Sequence, residues 1–284
     1  MNGVEAMDAA LLGVLGLLVG SFLNVVVHRL PKMMEMRWAT ECADLTDVGA
    51  KEGHAEEPPF NLMVPRSRCP HCGHAIQWFE NIPVASYLVL RGRCRSCHAG
   101  ISPRYPAVEL LNAALFAWCG WHWGLTWTAA AWCGFSAALL ALACIDWDTT
   151  LLPDDITLPL LWAGLCASAL GIIDTTLPDA LWGAVAGYLS LWLVYWAFKL
   201  ITGKEGMGYG DFKLYAALGA WFGWQALVSI ILMASLIGAA IGLGIKVLGK
   251  LREGGYVPFG PFLAIAGATA MITGPGTFLR FIGL

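Results

Sequence analysis

Long apolar runs are the feature of this sequence that most restricts its fold. Stretches long enough to cross a bilayer, each about 20 mostly apolar residues, begin near residues 8, 106, 126, 156, 178, 212, 228 and 259. Only 13% of the residues are charged, whereas a soluble domain carries about 25%. The pattern predicts an all-α polytopic membrane protein with about eight transmembrane helices and argues against a very hydrophobic soluble enzyme. The sixth run is the shortest, because Gly219 and Gly223 interrupt it.

One long polar insertion separates the first apolar run from the second. Ten of the seventeen Lys and Arg residues lie between Arg29 and Arg104. Basic residues accumulate in cytoplasmic loops, so the insertion is predicted to be cytoplasmic and the N-terminus periplasmic. The N-terminal run lacks the basic start of a signal peptide and is predicted to be a retained helix. The predicted divisions are a first transmembrane helix (1–29), a cytoplasmic insertion (30–104) and a transmembrane core (105–284).

Two CxxC pairs within the insertion predict a zinc site. The four residues are Cys69, Cys72, Cys94 and Cys97. A CxxC turn directs two thiolates at one ion about 2.3 Å away, and two such turns complete a tetrahedron. Four thiolates leave no open coordination position, which favours a structural, zinc-ribbon-like role over a catalytic one. The alternatives are ligation by a nearby histidine (His71, His74 or His98) and a redox dithiol.

Aspartate residues lie at the ends of two of the apolar runs. Asp146 directly follows the third run, with Asp148 two residues later, and Asp211 precedes the sixth run. The predicted topology puts these groups at one cytoplasmic face, where they could meet. An ionisable group at a membrane boundary is a candidate for function, although a helix cap or interfacial anchor is the simpler role for a single Asp. Asp154 and Asp155 fit such a cap for the fourth run.

A glycine-rich segment distinguishes Asp211 from an ordinary cap. Gly206, Gly208 and Gly210 permit the close approach of another backbone, which an acid that cleaves a peptide bond needs. Two adjacent carboxyl groups share one proton. The ionised group can then activate a water molecule while the protonated one donates to the scissile carbonyl. Asp146 and Asp211 are thus the predicted catalytic pair.

Six stretches, in the same order along the chain, resemble the bacterial type IV prepilin peptidase family, which also serves type II secretion. They are GSFLNVVVHRLP (20–31), PRSRCPHCGHAI (65–76), ENIPVASYLVLRGRCRSC (80–97), YPAVELLNA (105–113), IDWDTTLLPD (145–154) and GMGYGDFKLYAALGAW (206–221). The resemblance implies an intramembrane aspartic endopeptidase that removes a basic leader after a Gly at the cytoplasmic face. It also implies N-methylation of the new N-terminal residue with S-adenosylmethionine.

The resemblance assigns roles to individual residues. Asp211 matches the GxGD aspartate. The first aspartate is Asp146 or Asp148, and the family's spacing to the following proline, Pro153, selects Asp146 and leaves Asp148 as a neighbouring candidate. The four cysteines match the family's zinc tetrad. The resemblance does not identify the residues that bind S-adenosylmethionine. Glu41, Glu80 and Glu109 are candidates, although a solvated or interfacial position is the simpler explanation for each of them.

The expected partners are prepilin and pseudopilin substrates and the lipid bilayer of the bacterial inner membrane, with no nucleic acid. Two other classes of protein stay open. One is a proton-coupled transporter that uses the Asp residues as a relay, which would need carboxylates near the middle of the membrane. The other is a non-catalytic, zinc-stabilised scaffold of a secretion machine.

Overall fold

The computed structural model describes residues 3–46, 60–248 and 257–281. Within these ranges the chain is built of helices, with two isolated β-bridges in the insertion and no longer strand. The chain divides into two compact units, Met1–Trp121 and His122–Leu284.

The first unit contains two long helices and the insertion between them. Helix α1 spans Gly3–Thr46 and α3 spans Arg104–Trp123, with the short α2 at Ala85–Val89. α1 continues well past residue 29, where the insertion was predicted to begin. The two long helices approach closely at Gly16, where the Asn112 side chain donates a hydrogen bond of 2.8 Å to the Gly16 carbonyl. A Cβ at Gly16 would lie 2.7 Å from Ala113 Cα, so this approach depends on glycine.

The second unit is a helical bundle arranged around one short helix. Its helices are α4 (Trp127–Thr149), α5 (Asp154–Ala169), α6 (Leu177–Thr202), α7 (Tyr209–Phe222), α8 (Trp224–Val247), α9 (Gly260–Thr273) and α10 (Thr277–Phe281). α7 packs against α5, α6, α8 and α9, and its side chains are buried almost without interruption from Asp211 to Trp221. This continuous burial shows that α7 is enclosed by its neighbouring helices.

Glycine contacts draw α6 and α7 together. The backbone at Gly183 touches the backbone at Gly219, and a Cβ at Gly187 would lie 2.8 Å from the Tyr215 carbonyl oxygen. Such small residues allow helix backbones in membranes to approach and to gain van der Waals contact. Gly219, which interrupts the sixth apolar run, therefore belongs to this packing surface.

The prediction of an all-α membrane protein with a cysteine-rich insertion is confirmed. Each of the eight apolar runs corresponds to a helix, namely α1 and α3 to α9. Among the described residues, α1, α4, α6 and α8 are long and apolar enough to cross a membrane. The count of eight crossings and the three-part division of the chain stay predictions.

Candidate active site and metal centre

Asp146 lies in the last turn of α4 and is 4% exposed. The backbone N–H of Gly260, at the start of α9, donates toward its carboxyl group. A Cβ at Gly260 would lie 2.5 Å from Asp146 Oδ2, so only glycine allows the two helices this approach. Asp146 Oδ2 is buried, and among the described residues it has no hydrogen-bond partner. Burying a carboxyl oxygen in this way costs free energy, which is a sign that the group serves a function.

Asp211 lies in the first turn of α7 and is also 4% exposed. Its Oδ2 accepts a hydrogen bond of 3.2 Å from the Gly208 backbone N–H. This is the capping interaction that an acidic residue makes at a helix start. This hydrogen bond stabilises the start of α7 and also fixes the orientation of the Asp211 carboxyl group.

The structure brings Asp146 and Asp211 together. The two carboxyl groups are close enough to interact electrostatically. Leu152, in the loop after α4, lies beside both Gly210, which precedes Asp211, and Gly260, which contacts Asp146. A Cβ at Gly210 would be 2.6 Å from Leu152 Cβ, and one at Gly260 would be 3.1 Å from Leu152 Cδ1. The end of α4 and the starts of α7 and α9 thus converge on one pair of acids.

The other aspartates nearby occupy different positions. Asp148 is exposed on the last turn of α4. Asp154 forms an ion pair with Lys213, whose Nζ lies 2.6 Å from Asp154 Oδ1. The predicted cap role of Asp154 and Asp155 is wrong, because Pro153 occupies the N-cap of α5 and both acids lie in the helix's first turn. An acidic first turn still complements the helix dipole.

The four cysteines of the insertion converge in the first unit. Their sulfur atoms all lie within 4.8 Å of one another, with Cys69 Sγ 3.8 Å from Cys97 Sγ and Cys72 Sγ 4.0 Å from Cys94 Sγ. A tetrahedron with zinc–sulfur bonds of about 2.3 Å has edges of about 3.8 Å. The cluster therefore has the dimensions of a four-thiolate metal site, and His71, His74 and His98 are not part of it.

Two matching turns build this cluster. Cys69 N–H bonds to the His74 carbonyl at 2.9 Å, and Cys94 N–H bonds to the Ala99 carbonyl at 2.8 Å. Backbone N–H groups of His71 and Cys72 lower the pKa of the Cys69 thiol to about 7. A thiol with a lowered pKa releases its proton readily and becomes a metal ligand.

The three glutamates proposed for cofactor binding are in different environments. Glu41 is exposed near the end of α1. Glu80 lies between the two cysteine turns, where its Oε2 accepts from the Gln77 N–H at 2.8 Å and pairs with His74 at 3.1 Å. Glu109 is buried, and its Oε2 accepts from the Val84 N–H at 2.7 Å. Glu80 and Glu109 therefore both hold the insertion in shape.

Gly260 and Leu152 are site residues that sequence reasoning missed. Leu152 reads as an ordinary apolar residue of a loop. Gly260 precedes the eighth apolar run within the segment PFGPF, and glycine between prolines signals a turn. Nothing local to Leu152 indicates that it lies beside Gly210 and Gly260, and nothing local to Gly260 indicates that it contacts Asp146.

Two family models match the chain. The model of the Bacterial Peptidase A24 N-terminal domain matches residues 14–123, and the model of the Type IV leader peptidase family matches residues 133–243. Both predicted aspartates fall in the second match and all four cysteines in the first. No solved structure matches the chain.

Curated relatives match over nearly the whole chain. A prepilin leader peptidase/N-methyltransferase of Stutzerimonas stutzeri is 52% identical over 95% of this chain and 93% of its own length. Proteins of the same name from Pseudomonas aeruginosa and Aeromonas hydrophila are 54% and 52% identical, over 95% and 96% of this chain and 92% and 93% of theirs. These names do not support the transporter or scaffold alternatives.

Proposed function

Because the chain belongs to the type IV leader peptidase family, we propose that it cleaves the leader of prepilins and pseudopilins and then methylates the new N-terminal amine. The observation that carries the peptidase half is the pairing of two buried carboxyl groups, Asp146 and Asp211, at one end of a helical bundle. Pseudopilins are included on the family resemblance alone.

In the proposed mechanism the two aspartates share one proton. The ionised carboxylate takes a proton from a water molecule as that water attacks the carbonyl carbon of the leader's last Gly, while the protonated carboxyl group donates to the carbonyl oxygen. As the C–N bond breaks, the proton taken from the water passes to the leaving amine, and a hydroxyl group of the intermediate returns a proton to the other aspartate. The hydrogen bonds from Gly208 and Gly260 hold the two acids in orientation. Because coupled acids titrate as a unit, neither is assigned as the charged one.

The leader must be presented as an extended backbone, and the site has room for it beside Gly208. Among the described residues, a Cβ at Gly208 would have one neighbour within 4 Å, Asp211 Oδ2 at 3.7 Å. We infer that this open side of the GYGD segment receives the scissile peptide. Asp148 lies outside the pair and is assigned no part in proton transfer.

The cofactors follow from the same proposal. The sulfur cluster fits zinc, which would hold the two cysteine turns of the insertion together. S-adenosylmethionine would supply an electrophilic methyl group to the newly formed amine: its methyl–sulfur bond would break, S-adenosylhomocysteine would leave, and the nitrogen would lose one proton. The methyl-transfer half rests on the names of the relatives.

The proposed location is the bacterial inner membrane, with the N-terminus in the periplasm and the aspartates at the cytoplasmic face. This orientation is supported by the concentration of Lys and Arg in residues 29–104, because cytoplasmic loops of membrane proteins carry an excess of these residues. A cytoplasmic site also faces the compartment in which a basic leader remains.

Co-expression with a type IV prepilin tests the whole proposal in one measurement. The mass of the recovered pilin should correspond to a chain that begins directly after the leader's Gly and carries one added methyl group. Recovery of the full-length prepilin would contradict the peptidase assignment. A cleaved but unmethylated product, despite added S-adenosylmethionine, would contradict the methyltransferase half.

A further inference from the structure

A cavity of about 370 Å³ lies in the first unit, between α1 and the polar segment that follows it. This volume falls within the range of roughly 300–1,000 Å³ that small-molecule sites occupy. Its wall combines two guanidinium groups, an indole ring, a thioether and two carboxamides, from Arg29, Arg66, Trp78, Met63, Gln77 and Asn81. Apolar walls with a few polar groups are typical of a site for a cofactor-sized ligand.

Arg29 brings a buried positive charge to this cavity. The residue is 7% exposed, and its guanidinium donates to the carbonyl oxygens of Asn61 and Pro65 at 2.9 and 2.6 Å. Within the part of the chain that the structure describes, it pairs with no carboxylate. These two carbonyls use two of the five N–H donors of the guanidinium, so a ligand carboxylate can accept from the donors that remain.

Trp78 offers a different kind of contact. Its side chain is 80% exposed, although the ring borders the cavity. Phe79 packs edge-on against it, with ring centroids 5.7 Å apart, which limits the orientations the indole can take. An indole face attracts cations and stacks on planar rings.

Together these groups match the parts of one molecule. We propose that the cavity binds S-adenosylmethionine, a proposal that rests on the methyltransferase activity proposed above. The guanidinium groups of Arg29 and Arg66 would receive its carboxylate. Trp78 would lie against the adenine ring or the sulfonium, and the carboxamides of Gln77 and Asn81 would bond the ribose hydroxyls or the amino group.

The three glutamates suggested by the sequence do not line this cavity. Both Glu80 and Glu109 already accept backbone hydrogen bonds within the insertion. We therefore assign S-adenosylmethionine binding to the guanidinium and aromatic side chains that line the cavity instead of to these glutamates.

Calorimetric titration of S-adenosylmethionine into the full chain, zinc-loaded and purified in detergent, tests this assignment. Arg66→Gln should weaken binding about tenfold or more, because a charge-assisted hydrogen bond to the carboxylate is lost. Trp78→Ala should weaken it about tenfold, because the stacking surface for the adenine ring is lost. Two matched controls, Arg68→Gln and Trp38→Ala, change exposed residues that do not line the cavity. They should bind as the wild type does.

Zinc content and leader cleavage are measured for every variant, and both should equal the wild-type values. If a cavity variant loses zinc, Ser67→Leu is tested in its place. The leucine side chain fills the cavity without removing a charge or a ring, so this variant should also weaken S-adenosylmethionine binding. Wild-type binding with unchanged affinity in the cavity variants would overturn the cavity assignment while leaving the methyltransferase proposal intact. A wild-type chain that neither binds S-adenosylmethionine nor methylates its product would refute both.

Discussion

At the residue scale, the three glycines before Asp211 serve different purposes. Gly210 is required by the fold, since its Cβ would lie 2.6 Å from Leu152 Cβ. A Cβ at Gly206 would lie 3.0 Å from the ring of Phe198, a contact that rotation of the Phe198 side chain could relieve. Gly208 has a backbone φ of −81°, which any residue adopts, and open space around it. The proposed approach of the substrate backbone to Asp211 would account for its lack of a side chain.

Gly208→Ala tests this explanation. The substitution should leave the thermal stability in detergent unchanged, yet lower kcat/KM for leader cleavage by about tenfold or more, since small misplacements of a substrate can cost up to about a hundredfold. Gly134→Ala is the matched control, because a Cβ there meets no atom of the described residues within 4 Å. Cleavage by Gly208→Ala at the wild-type rate would show that the substrate backbone does not pass this position.

Glu80 is the residue that ties the two cysteine turns together. Its hydrogen bonds to the Gln77 N–H and to His74, with the Arg95 guanidinium 3.8 Å away, lower the pKa of the carboxyl group. The carboxylate therefore stabilises the folded insertion at neutral pH. This contribution is lost as the pH falls through the lowered pKa.

Replacing Glu80 by Gln should speed the release of zinc to a chelator at neutral pH, because the charge-assisted bonds are lost. The difference from the wild type should shrink as the pH falls through the lowered pKa of Glu80. Glu35→Gln, on the exposed surface of α1, is the control and should release zinc as the wild type does. Equal release rates for Glu80→Gln and the wild type at pH 7 would mean that Glu80 does not hold the cluster.

At the scale of elements, the position of Asp211 depends on how α7 is held. The backbone contact between Gly183 and Gly219 sets the separation of α6 and α7, and the Trp221 indole donates to the Leu160 carbonyl of α5 at 2.9 Å. A short and almost fully buried helix thus gains its stability from its neighbours.

Gly183→Ala should destabilise the bundle by about 1–3 kcal/mol, since an added methyl group must push two backbones apart. The loss is measurable as a lower midpoint of unfolding in detergent. Gly242→Ala, on α8 with nothing within 4 Å of its Cβ, should leave the midpoint unchanged. A midpoint for Gly183→Ala equal to that of the wild type would argue that α6 and α7 do not depend on this contact.

Helix existence followed from hydrophobicity, whereas helix length did not. Each apolar run predicted one helix, because a chain within a bilayer must satisfy its backbone N–H and C=O groups internally, as a helix does. The extension of α1 to Thr46 was not predicted, since residues 30–46 mix charged and apolar side chains without a membrane-like run. The shortness of α7 was visible in its two glycines, but its enclosure by four helices was not.

At the scale of the whole molecule, the two candidate sites differ in how far the sequence revealed them. The cysteine cluster followed from spacing alone, because a CxxC turn constrains its own geometry. For the aspartates, the sequence and the family resemblance named the pair. The burial of Asp146, the exposure of Asp148 and the contribution of Gly260 depend on residues far apart in the chain, so only the folded bundle displays them.

The central claim is that Asp146 and Asp211 together cleave the leader, and single Asn substitutions test it most directly. Cleavage of a purified prepilin is followed by mass spectrometry for the wild type and for Asp146→Asn, Asp211→Asn and Asp148→Asn. Loss of either buried acid should lower the rate by more than about a hundredfold, the scale of general acid–base catalysis, while Asp148→Asn should retain most of it. Wild-type cleavage by Asp146→Asn or Asp211→Asn would contradict the account, as would loss of cleavage in Asp148→Asn alone.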